Sequence, residues 1–204
     1  MGWPRLEIVR YDVAQPEIAR LAASHPAVLE LASAGVPRSA FGRCEATAGL
    51  TVIPSHRRVV SGWATERTTR AGGPLVVFAT GGGLDMVVAL DPVSGEVLSV
   101  SDPDGRRGEP TASLMNGSLE HLRSTVQAVI GRFPFYDGPP SEEREEAEAR
   151  ATHDLIRLIE EADPRTAEEP GPWGEFPWDV SLGDFDTASV VGMWPPREAD
   201  AALP

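Results

Sequence analysis

Apolar residues recur in two rhythms along this chain, and they divide it into a sheet-forming middle flanked by helices. Pro74-Leu-Val-Val-Phe-Ala-Thr80 and Leu84-Asp-Met-Val-Val-Ala-Leu90 are nearly continuous Val- and Leu-rich runs on either side of Gly81-Gly82-Gly83. Such runs suit central strands, buried on both faces. Asp91-Pro-Val-Ser-Gly95 then turns the chain into Glu96-Val-Leu-Ser-Val100, a connection short enough to force antiparallel pairing. Leu50–Ile53 and Arg58–Trp63 are β-branched runs bounded by proline, serine and glycine, and they read as the first two strands. The polar stretches Thr65–Gly73 and Ser101–Ser113 read as loops.

The helical rhythm appears before and after these strands. Pro16–Ala34 places Ile18, Leu21, Ala22, Val28, Leu29 and Leu31 at helical spacing. Pro26 should split or kink it and Gly35 stop it. Met115-Asn-Gly-Ser118 opens a second helix whose apolar stripe is Leu119, Leu122, Val126, Val129, Ile130 and Phe133, with Ser118 or Asn116 as the cap. Ser141, followed by Glu142 and Glu143, caps a third, with Ala147, Ala151, Leu155, Leu158, Ile159 and Ala162 inward and Pro164 at its end. Arg165–Pro172 reads as a linker and Phe185–Val191 as a late strand. A tight hairpin between long helices argues against a doubly wound parallel sheet. The expected fold is therefore α+β: a mostly antiparallel sheet of five to six strands flanked by helices. It forms one domain over 1–192, with an acidic C-terminal helix and segment from about 141 and a disordered tail over 193–204.

Composition sharpens this in three ways. No apolar run approaches the roughly 20 residues of a membrane span, and the first residues lack the basic and apolar regions of a secretory signal. One cysteine, Cys44, excludes an internal disulfide and a multi-thiolate metal site, so the cytoplasm is the expected compartment. The formal net charge is −13, and it is unevenly placed. Residues 1–138 hold 13 arginines against 14 acids, whereas 139–204 hold 5 against 17. An acidic field of that kind repels nucleic acid and speeds the approach of basic partners. All 18 basic residues are arginine, which reads as coding bias.

Several words in this order resemble the SUKH superfamily, in particular its fourth subgroup of bacterial immunity proteins. The matching pieces are Arg10-Tyr11-Asp12, the helix ending Leu31-Ala-Ser-Ala-Gly35-Val36-Pro37, the hairpin from Leu84 through Gly95, and Met115-Asn-Gly-Ser-Leu119 after the sheet. They span residues 10 to 133. Arg38–Gly49, Thr65–Gly73 and the chain after Gly183 have no counterpart. The resemblance implies a sheet-and-helix domain that binds and neutralises a toxin of a polymorphic or contact-delivered system, often one acting on nucleic acid. It carries over no catalytic residues.

The reactive side chains agree with a binding role. His25, His56, His121 and His153 stand at no metal-ligand spacing, and zinc needs three or four converging ligands. Gly81–Gly83 is followed by a strand instead of a helix and the chain has no lysine, so a phosphate loop is disfavoured. Asp102-Pro-Asp104-Gly105 opens like a calcium loop, but Arg106, Arg107 and Ser113 occupy later ligand positions. No Gly-x-Ser-x-Gly elbow is present. The expectation is no catalytic residue, no metal and no cofactor.

What remains is a late segment mixing rigid aromatics with acids, the composition of an interface anchor surrounded by steering charge. Its candidate partner-binding residues are Glu175, Trp178, Asp179, Asp184 and Asp186, facing a basic cognate toxin with no direct nucleic-acid or membrane contact. Trp173 and Trp178 can alternatively pack this segment onto the domain. Two other functions fit the same chain: a scaffold or regulatory module of this fold, and an enzyme on a small molecule with a pocket beside Ser101–Ser113.

Overall fold

The computed structural model describes residues 6–39, 44–60, 68–81, 85–135, 142–169 and 171–182. In chain order the elements are β1 (Ile8–Val9), α1 (Pro16–Ser24), α2 (Pro26–Ala34), β2 (Val36–Pro37), β3 (Cys44–Ile53), β4 (His56–Val60), β5 (Thr68–Gly72), β6 (Leu75–Gly81), β7 (Met86–Leu90), β8 (Val97–Ser101), β9 (Thr111–Asn116), α3 (Leu119–Arg132), α4 (Glu142–Ala162), α5 (Arg165–Glu168) and α6 (Gly171–Ser181).

Seven strands form one sheet in the order β3-β6-β7-β8-β9-β4-β5, and β1 pairs with β2 separately. The α+β class holds, but the sheet is larger than five to six strands and it is mixed. β4 runs parallel to β9, with Arg57 opposite Thr111 and Arg58 opposite Ala112. The expected hairpin is present as β7 against β8, antiparallel from Met86↔Ser101 to Leu90↔Val97. Asp91 makes its turn, accepting hydrogen bonds from the Val93 and Ser94 amides at 2.8 and 3.3 Å.

Burial alternates along the central strands. Val76, Phe78, Val88, Leu90 and Val97 join the main core with α1, α2, α3, α4 and α6. Leu75, Val77, Ala89, Leu98, Val100, Ala112 and Leu114 form a second cluster made of strand residues alone. A side-chain period of two on a sheet buried on both faces produces the uninterrupted apolar runs in the sequence.

Pro26 separates α1 from α2 as its missing amide predicts, since proline is tolerated in a helix's first turn. Gly35 ends α2 at φ 75°, and a Cβ there would stand 2.3 Å from the Val9 carbonyl oxygen. Ser118 caps α3 by accepting the His121 amide at 3.1 Å. Asn116 is no cap; with Met115 it completes β9. Three other loop or linker assignments are corrected. Thr65–Gly73 contains edge strand β5, Ser101–Ser113 contains the start of β9, and Arg165–Pro172 holds α5 and the first turn of α6. The proposed strand Phe185–Val191 and the tail 193–204 lie outside the described residues.

Candidate functional site

Three of the candidate partner residues, Glu175, Trp178 and Asp179, stand on α6, which packs on α4, and two polar tethers hold these helices on the sheet. The first is buried. Asp163, immediately after α4, is fully buried. Its Oδ2 accepts the Gly117 amide at 2.7 Å and the Asn116 Nδ2 at 3.0 Å, and its Oδ1 accepts the Arg165 amide at 3.1 Å. Asn116 also donates to Thr125 Oγ1 at 3.1 Å, and its Oδ1 accepts the Trp173 indole N–H at 2.9 Å. One amide and one carboxylate thus join β9, α3, the α4–α5 corner and α6. A buried network with its groups satisfied favours one arrangement of the elements it connects. His121 Nδ1 lies 3.3 Å from Asp163 Oδ1 but is not aligned for a hydrogen bond.

The second tether is ionic. Arg58, 3% exposed, donates to Glu169 at 3.2 Å and to the Val59 carbonyl at 2.8 Å, with Glu96 at 3.8 Å. Arg165 reaches Glu96 at 2.8 Å and Glu169 at 3.8 Å. The hydrogen bond that the Arg165 guanidinium donates to Glu96 raises its pKa above its already high value. Two cations and two anions balance, which is what charges withdrawn from water require.

α6 approaches β9 closely because of Gly171, at φ 46°. A Cβ there would fall 2.0 Å from the Leu114 carbonyl oxygen. Trp173, Phe176 and Val180 then point into the core, with Trp173 and Phe176 edge to face at 5.9 Å. Trp178, on the same helix, is 68% exposed. Trp173 packs the segment onto the domain, whereas Trp178 faces out.

Between α4 and α6 lies a cavity of about 420 Å³, lined among others by Thr152, His153, Ile156, Trp173, Pro177 and Trp178. Ile156 is 42% exposed, and Leu182, one turn beyond Trp178, is 73% exposed. Of the candidate residues, Trp178 forms the outer lip of this groove. At 3.6 residues per turn, Glu175 and Asp179 fall further round α6, Glu175 exposed and Asp179 half-buried. Asp184 and Asp186 lie outside the described residues. The sequence reading missed Ile156, Glu160 and the groove itself; the only signal was an isoleucine one position off the inward stripe of α4.

Elsewhere, the reactive groups are accounted for locally. Cys44 is completely buried, and burial pushes its thiol up to about 12. Asp102 accepts the Arg106 and Arg107 amides at 3.0 and 2.6 Å, closing a polar turn. His56 is buried against Gly72, its Nδ1 2.9 Å from the Gly73 carbonyl. Among the described residues no group of three or more His, Cys, Asp or Glu is placed to hold a metal ion, and no helix is long and apolar enough to cross a membrane.

The chain belongs to the SUKH-4 immunity protein family, whose model matches residues 7–178. The match therefore runs beyond the sheet, through α4 and α5, to Trp178 at the groove. No curated protein and no solved structure matches the chain.

Proposed function

We propose that this immunity protein binds its cognate toxin stoichiometrically and blocks it, and that the toxin acts on nucleic acid. The observation that carries this reading is the family match through residue 178 together with the placement of charge. From 142 to 182 the chain holds thirteen acids against four arginines, a net of −9. A toxin that handles phosphates needs a positive cleft. A rigid acidic face competes for that cleft and accelerates encounter. The proposed contacts are Glu175, Trp178, Asp179, Asp184 and Asp186, with the acidic side of α4 behind them.

The test is protection of cells expressing the toxin domain encoded beside this gene, paired with binding measured over a salt series. Charge reversal at Glu175, Asp179, Asp184 and Asp186 should slow association, flatten the salt dependence and remove protection. Unchanged binding at physiological salt would discard the acidic face as the interface.

A further inference from the structure

We infer that the groove between α4 and α6 is the anchor socket for the toxin, and that it takes a large apolar side chain presented on an arginine- or lysine-rich segment. This rests on the immunity reading above and adds the chemistry of the element recognised.

Three observations converge on the groove. Five large apolar side chains are exposed among the described residues; two of them, Ile156 and Trp178, line this one feature, and a third, Leu182, lies one turn beyond Trp178. Scattered exposed apolar residues are ordinary, but a clustered set beside a cavity marks an interaction surface. The hydroxyl groups of its lining and one ring nitrogen of His153 are engaged with backbone carbonyls. Thr152 Oγ1 donates to the Glu148 carbonyl at 2.8 Å and to that of Pro177 at 3.3 Å. Ser181 Oγ donates to the Trp178 carbonyl at 2.7 Å, and His153 Nδ1 sits 2.8 Å from that of Ala149. Recognition of a small molecule needs convergent polar groups free to orient it, and these hydroxyls already have partners. An apolar anchor requires none.

Charge selects the occupant. Glu160 lines the groove, and Glu145 lies one turn before Ala149 on the same stripe of α4. Both are exposed and make no ion pair among the described residues. A second copy of this chain would set thirteen acids per copy against thirteen, and an anionic surface would meet the same repulsion. A basic segment gains the Glu160 carboxylate at the rim and that of Glu145 one turn before Ala149 on α4 while its apolar side chain fills the socket, with Trp178 and Ile156 as jaws.

The test uses the full chain with His153→Cys carrying a photoreactive maleimide. The native thiol, Cys44, is buried and held protonated to about pH 12, so labelling falls on the rim of the groove. Two probes are used: a leucine/arginine amphipathic peptide and the toxin domain encoded beside this gene. Both should crosslink, whereas a leucine/glutamate peptide of the same apolar pattern should not. Without the label, Trp178→Ala and Ile156→Glu should each weaken both complexes about 30-fold, the scale of a hot-spot residue. Both positions are exposed, so thermal midpoints should stay near wild type, and either variant alone suffices if the other misfolds.

Crosslinks to a second copy or to residues 183–204 of the same chain would assign the groove another occupant and overturn the inference. Arginine-peptide binding indifferent to Ile156→Glu would reduce the contact to surface charge and overturn it too. The two readings separate in the protection assay. If the wild type protects and the Trp178→Ala and Ile156→Glu variants protect equally, the groove is not the toxin's socket and the immunity reading stands. If the wild type does not protect against that toxin, the immunity reading itself fails.

Discussion

Two tryptophans five residues apart on α6 have opposite environments. Trp173 is 1% exposed, its indole N–H donating to Asn116 beneath it and its ring edge-on to Phe176. Trp178 is 68% exposed and forms one lip of a groove whose other wall is α4. The inner residue has its polar atom satisfied and its ring enclosed, so it holds the helix in place. The outer one keeps a large apolar surface in water, which contributes nothing to the folded chain by itself. One helix therefore both anchors the C-terminal part of the domain and displays its most apolar exposed residue. The inner half must be rigid for the outer half to act as a preorganised anchor.

The largest expected effect breaks the inner side. Trp173→Ala should cost about 4–5 kcal/mol, the upper part of the range for removing a buried tryptophan, because it also leaves the buried Asn116 Oδ1 without its donor. Denaturant unfolding would read this as a lower midpoint. Any loss of toxin binding should then follow the fraction unfolded. A loss below about 1 kcal/mol would mean that α6 is not held through this contact.

Next comes the carboxylate beneath it. Asp163→Ala removes the acceptor for the Gly117 and Arg165 amides and one acceptor of Asn116. Orphaning buried donors costs roughly 1–3 kcal/mol each, and a total of about 3 kcal/mol is expected. The chain from α5 onward should lose hydrogen-exchange protection before the β6–β8 core does. Uniform loss across the sheet would show that the tether is not local.

How much of this was legible beforehand differs between the strands and the tether. The Val- and Leu-rich runs of β6, β7 and β8 declare themselves because both faces of those strands are buried. Edge strand β5, Thr68-Thr-Arg-Ala-Gly72, has no such need and looks like a loop. β9 was hidden because its first residues are polar and follow an Asp-Gly-Arg-Pro stretch. α6 contains Gly171, Pro172, Gly174 and Pro177, a composition that denies a helix on propensity alone. Its tertiary support comes from Trp173, Phe176 and Val180 in the core. The Asn116–Asp163 and Trp173–Asn116 contacts span 47 and 57 residues, and no local pattern encodes separations of that size. At the candidate site, Trp178 was legible as an aromatic among acids, while the groove depends on how α4 and α6 pack.

Alkaline pH offers a milder way to loosen the inside without touching the outside. With every basic side chain an arginine, no lysine titrates above pH 9. Burial raises Cys44 from 9.0 to about 12, and burial raises Tyr11 from 10.0 to about 12 despite its hydrogen bond with Thr47. Both groups are neutral when protonated, so their stabilising contribution is complete below the unfolded values. It drains away as pH rises toward 12, because the unfolded chain ionises first. Wild type should begin to lose stability above about pH 9, by up to roughly 1.4 kcal/mol per pH unit for each of the two groups. Cys44→Ala should postpone the onset to about pH 10. Identical pH profiles for the two proteins would deny Cys44 any part in the loss.

The smallest expected change in stability is the most informative about function. Trp178→Ala removes a side chain that is two-thirds in water, so its unfolding free energy should stay within about 0.5 kcal/mol of wild type, as exposed positions generally do. The same truncation should weaken toxin binding by about 2 kcal/mol or more if the ring is the interface anchor. Set beside Trp173→Ala, this makes a double dissociation. One tryptophan moves the denaturation midpoint and carries binding down only through unfolding; the other moves binding while the midpoint stands still. A Trp178→Ala protein markedly less stable than wild type would place the ring among the packing residues of α6, and the division between an inner and an outer side of that helix would have to be abandoned.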